Sequence, residues 1–135
     1  MNQLQNSRVT ALQQHDCYRG VPMDNILKIT NELASQIKAC DSMQRYKAAK
    51  SSIEADADLS AKLRAFKQAQ VAFEWKAMQG EARDFNEARY VSKLYTDLML
   101  DDDAKTFLVS EREILTLIAQ IHSAIDAACE IDIGF

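Results

Sequence analysis

One proline and three glycines in 135 residues are too few turn-formers for an all-β fold, which needs many tight turns. Cysteine is scarce too. Cys17, Cys40 and Cys129 are odd in number, widely spaced and without a C-x-x-C pair. That pattern excludes a disulfide framework and fits a reducing cytoplasm. No apolar run approaches the roughly 20 residues that cross a bilayer, and no charged-then-apolar leader opens the chain. A cytoplasmic protein without membrane insertion is therefore expected. Basic residues are also in deficit, 16 against 20 acidic ones. Direct nucleic-acid binding is not expected, because phosphate contacts need clustered Lys and Arg.

Catalytic and metal-binding patterns are missing as well. Neither His15 nor His122 has a second histidine three or four residues away, so no zinc motif forms. There is no G-x-S-x-G and no glycine-rich phosphate loop. The stretch DADLSAKLRAFK from Asp56 superficially suggests a calcium loop. It has Ala61 where the sharp turn needs glycine and Lys67 where the bidentate glutamate belongs. Asp101 to Asp103 read as a helix cap. His15 and Cys17 lie close together, but in a weakly patterned stretch that offers no rigid support for a site. The expectation is a protein that is not an enzyme and has no catalytic residues, resident metal or bound cofactor.

What is present is the composition of long helices, rich in Ala, Leu, Lys, Gln, Glu and Asp. Residues 1–22 end in the Gly20-Val21-Pro22 breaker and are expected to be an extended or mobile N-terminal segment. Residues 23–135 are expected to form one helical domain. Asp24 is a plausible N-cap for a helix whose apolar face carries Ile26, Ile29, Leu33, Ile37 and Cys40. Met43, Tyr46, Ala49 and Ile53 continue the spacing, either as a second helix or as the first one bent. Asp56 and Asp58 open a third helix over Leu59–Gln79, which Gly80 is placed to stop. A fourth runs from about Ala82 to Leu100, and the DDDAK stretch at 101–105 caps the last.

Two helices carry more apolar surface than one partner could cover. In the third, Leu59, Leu63, Phe66, Gln70, Phe73 and Ala77 step by four and three. Val71, Trp75 and Met78 fall on a separate flank. In the last, Ile114, Ile118, Ile121, Ile125 and Ala128 form the seam, widened by Leu115 and Leu117. The expected fold is all-α, with long antiparallel helices in a bundle completed by dimerisation. The expected interface comprises Gln70, Val71, Trp75, Met78, Leu115 and Leu117. Gln70, an amide inside an apolar seam, either hydrogen-bonds across a helix–helix contact and selects a partner, or reaches solvent at the seam edge. Cys40 and Cys129 read as small apolar filler. Alternatively they ligate an iron–sulfur cluster, which would make the protein redox-responsive. Such clusters usually need four thiolates, so a dimer or hetero-complex would have to supply the rest.

The helical positions also carry a resemblance. Leu33-Ala34 with Ile37, then Ser42 and Tyr46, then Leu63, Phe66 and Gln70 in LRAFKQAQ, and finally Glu111 and Leu115 in FLVSEREILTLI follow one pattern. From Met23 to Ile131 the chain resembles the YlbF/YmcA family of small bacterial regulatory proteins. The resemblance implies an all-helical, dimeric protein with no enzymatic activity of its own. It further implies an adaptor role in a complex with a YaaT-like protein that influences the endoribonuclease RNase Y, and through it competence, sporulation and biofilm formation. Some members of that complex bind iron–sulfur clusters; the closely spaced C-terminal cysteine group is not present here.

Overall fold

The structure, a computed structural model, describes residues 20–130. His15 and Cys17 lie outside them. Among the described residues the chain forms five α-helices and no strand. These divide into two units, one ending at Ala39 and one beginning at Cys40.

The first unit contributes α1 (Met23–Ala39). The Pro22 carbonyl accepts hydrogen bonds from the Asn25 and Ile26 amides at 3.0 and 3.4 Å. The helix thus starts before Asp24, which lies within the first turn rather than at the N-cap. Its carboxylate there still meets the positive end of the helix dipole. Ile26, Ile29 and Leu33 are exposed on α1, and no α1 residue is buried.

The second unit holds α2 (Asp41–Ala55), α3 (Ala57–Met78), α4 (Phe85–Leu98) and α5 (Asp102–Cys129). Cys40, extended at φ −65° and ψ 156°, precedes α2, so the second apolar stretch is a helix of its own. Acidic caps start the next three helices. Asp56 accepts from the Leu59 amide at 3.0 Å, Asp84 from Asn86 at 2.8 Å and Asp101 from Ala104 at 2.9 Å. Each satisfies one amide that a helix start leaves without a partner. Gly80 ends α3 at φ +77°, with the Glu81 amide bonded to Lys76 and the Gly80 amide to Ala77. This is the Schellman arrangement, in which a left-handed residue turns the chain.

Side-chain contacts read out the helix directions. Ser42 meets Glu113 while Tyr46 stacks on Phe107 with centroids 4.8 Å apart, so α2 runs antiparallel to α5. Phe66 lies 5.8 Å from Tyr95 and Lys76 pairs with Glu87, so α3 and α4 form an antiparallel hairpin. The core gathers Ala49, Ile53, Leu59, Phe66, Leu98 and Phe107, with Ala104 and Leu108 beside them. Ser110 is fully buried against α2's side of α5, and its hydroxyl donates to the carbonyl of Thr106 at 2.5 Å. All these residues sit at one end of the unit, by the α2–α3 and α4–α5 junctions. From Leu115 to Cys129, every residue of α5 is exposed except the half-buried Ile121.

Candidate interaction surface

Above the core, α3 and α5 leave a groove of about 520 Å³ between them. Phe66 and Leu108 lie at its floor. Gln70 and Val71 line it from α3, and Leu115 and Ala119 from α5. Lys67 of α3 pairs with Glu111 of α5 across it. Lys67 also lies 6.0 Å from the centroid of the Phe107 ring. The pair is half-buried and joins the two helices where the apolar core ends.

Gln70 is half-buried in this groove, and no hydrogen bond from another described residue reaches its amide. It therefore does not bond across a helix–helix contact within the chain. Its donors and acceptor face the open groove, where water or an incoming chain can meet them. Val71, with Trp75 and the chain between them, also forms a shallow, almost wholly apolar depression on the outer side of α3. Trp75 is 56% exposed, and Met78 continues the flank one turn further. Gln70, Val71 and Leu115 line one groove, whereas Trp75 and Met78 lie exposed further along α3, outside it. Leu117 does not join them. Two residues along a helix turn a side chain by about 200°, which sets Leu117 on the other side of α5 from Leu115.

A charged cluster lies on the opposite side of α5. Glu113 accepts from the Ser42 hydroxyl at 2.6 Å and from the Arg45 guanidinium at 2.8 Å, and Arg45 also bonds Asp41 at 2.9 Å. The Ser42 hydroxyl first, and Arg45 after it, hold the Glu113 carboxyl below its ordinary range. Hydrogen bonds to Asp41 and then Glu113 raise Arg45 further. The Lys76–Glu87 pair likewise raises Lys76 and ties α3 to α4. Helical periodicity does not reveal the Lys67–Glu111, Lys76–Glu87 and Ser42–Glu113 partners. These three pairs join positions 44, 11 and 71 residues apart on different helices, which no periodicity within one helix links.

The two described cysteines do not come together. Cys40 is half-buried just before Ser42, which touches α5 at Glu113. Cys129 is exposed at the far end of α5, 16 residues and about 24 Å further along the helix. One chain does not supply a cluster's thiolates at a single place. Nor is Cys129 the buried filler that its neighbour Ala128 suggested. Among the described residues no group of three or more His, Cys, Asp or Glu side chains could hold a metal ion. Among the described residues, no helix is long and apolar enough to cross a membrane.

The fold and this surface define a class: an all-helical domain with a core at one end and apolar helix faces left open beyond it. The chain belongs to the YlbF/YmcA family. Residues 26–130 match the family described as "Control of competence regulator ComK, YlbF/YmcA". A UPF0342 protein of Caldicellulosiruptor saccharolyticus is 31% identical over 109 residues, 81% of this chain and 91% of that protein. A UPF0342 protein of Caldicellulosiruptor bescii is 32% identical over 108 residues, 80% and 91% respectively. Among solved structures, a chain of Bacillus subtilis RicA in complex with RicF shares the fold, with a TM-score of 0.52. The match covers 80% of this chain and 96% of that one, at 15% identity.

Proposed function

We propose that this protein is a non-enzymatic regulatory adaptor of the cytoplasm, working as a homodimer that binds other proteins through the α3–α5 groove and the Trp75 flank. The observation that carries this reading is the groove itself. An unpaired amide, Gln70, sits among Phe66, Val71 and Leu115, and Val71 also borders the outer depression that holds the exposed Trp75. Buried aromatic anchors beside a few directed polar groups are how protein interfaces concentrate their energy. Membership in a regulatory family supports it, and so does a structural relative that is itself part of a two-protein complex. The partners we propose are a YaaT-like protein and RNase Y, with RNA processing, and through it competence, sporulation and biofilm formation, as the processes affected. An iron–sulfur cluster on Cys40 and Cys129 would need thiolates from other chains.

The test is an affinity pull-down from host lysate with the unaltered protein, Trp75→Ala and Gln70→Leu, each checked for helical content. Recovery of a YaaT-like protein or RNase Y that falls at least tenfold in both variants is the expected result. Equal recovery with all three proteins, or recovery of neither partner, would overturn the assignment of this surface.

A further inference from the structure

The exposed second half of α5 has the composition of a covered helix. Asp126 is the single Asp, Glu, Lys or Arg between Ile114 and Cys129, in a chain that is 27% charged. A helix facing water carries charges on its open side. Loss of charge marks the centre of an interface. At about 100° per residue, Ile114, Leu117, Ile118, Ala124, Ile125 and Ala128 share one face centred on Ile121. Along that face the three positions before Ile121 are all large, and two of the three after it are alanine.

We propose that this face packs against the same face of a second copy, the two α5 helices antiparallel about a two-fold axis at Ile121. In that register Ile118 meets the partner subunit's Ala124, and Ile114 meets the partner subunit's Ala128. Leu117 meets the partner subunit's Ile125. Two of these three pairs set large against small, while Leu117 and Ile125 pack as large on large beside the axis, so the rows interdigitate towards their ends. A parallel pair would set isoleucine on isoleucine at one end and alanine on alanine at the other, leaving a wedge. It would also stand the two cores side by side, whereas the antiparallel pair carries them to opposite ends. A two-fold contact of this kind closes on itself and does not propagate.

The pairing rests on the self-association proposed above and says where it occurs. It also separates the two leucines. Leu117 belongs to the dimer, while Leu115, on the other side of α5, stays in the groove. Each dimer then presents two free grooves.

The experiment uses the full chain. Native mass spectrometry of the unaltered protein should give twice the 15.2 kDa chain mass. Ala124→Arg should give the single mass with helical circular dichroism retained, because Ala124 is exposed in the isolated chain. Orientation is read by oxidation. Ile121→Cys, in a background with the native cysteines changed to serine, should form a covalent dimer. The two native Cys129 residues, about 24 Å apart across the axis, should not. They exceed the roughly 7 Å Cα separation that a disulfide spans. A single-chain mass for the unaltered protein would overturn self-association as well. A dimer that survives Ala124→Arg, or that cross-links through Cys129 instead of Ile121→Cys, would overturn this pairing and leave self-association standing.

Discussion

Phe66 and Trp75 stand on one helix and should respond very unequally to truncation. Phe66 is 5% exposed, lies in the core and tilts against Tyr95 at 5.8 Å. Replacing it with alanine removes a buried ring and leaves a cavity among Leu59, Leu98 and Leu108. Such changes cost about 3–5 kcal/mol. Domains of this size have stabilities of about 5–15 kcal/mol. With a urea slope of about 1–3 kcal/mol per molar, the unfolding midpoint should fall by more than about 1 M. Trp75 already leaves 56% of its surface in water. Trp75→Ala should therefore cost about 1 kcal/mol or less. The assay is urea denaturation followed by circular dichroism at one protein concentration, since dimerisation makes stability concentration-dependent. A loss below about 1 kcal/mol for Phe66→Ala, or equal losses for the two variants, would refute the division of α3 into a core side and an open side. The contrast also matters for function, because a partner lost in a fully folded Trp75→Ala protein is lost at the surface.

Three further outcomes follow from the caps and the charged cluster. Asp101→Ala leaves the Ala104 amide without its acceptor and should lower stability by about 1 kcal/mol, read as a shift in the thermal midpoint. Gly80→Ala meets no neighbouring atom, so its cost is backbone strain alone at φ +77°. A destabilisation of about 1 kcal/mol is expected in urea, and none would mean the turn can reshape. Glu113 has a folded pKa below its unfolded one, so its contribution is complete at neutral pH. That contribution is lost as pH falls through the folded value, below the usual carboxylate range. Glu113→Gln should remove this part of the acid-side decline in the thermal midpoint, and an unchanged decline would mean that Ser42 and Arg45 do not hold the carboxylate in solution.

Helices were legible wherever local chemistry decides them. Asp56 and Asp101 cap as their position suggested, Gly80 stops α3, and the four-and-three spacing separated Phe66 from Trp75. The start of α4 was less so. Ala82 and Arg83 are adequate helix residues, yet Asp84 offers the better cap and the helix begins at Phe85. The break at Cys40 has no glycine or proline to announce it. Lys67–Glu111 and Ser42–Glu113 were not legible at all, because no helical period links residues so far apart. The groove follows the same rule. Its residue types were visible as an excess of apolar positions, but that Gln70 faces Leu115 depends on how α3 and α5 lie together.

Ser110 shows what governs substitution at a fully buried position of α5. Its hydroxyl bonds to carbonyls of its own helix, at Thr106 and Phe107, and makes no polar demand on α2. The site is therefore a gauge of size, indifferent to chemistry. Alanine satisfies it, because the two carbonyls keep their helical partners. Valine or leucine would act as a shim, pushing α2 outward, parting Tyr46 from Phe107 and drawing Ser42 away from Glu113 one turn along. One side chain's volume thus bears on the contacts that the first turns of α2 make with α5.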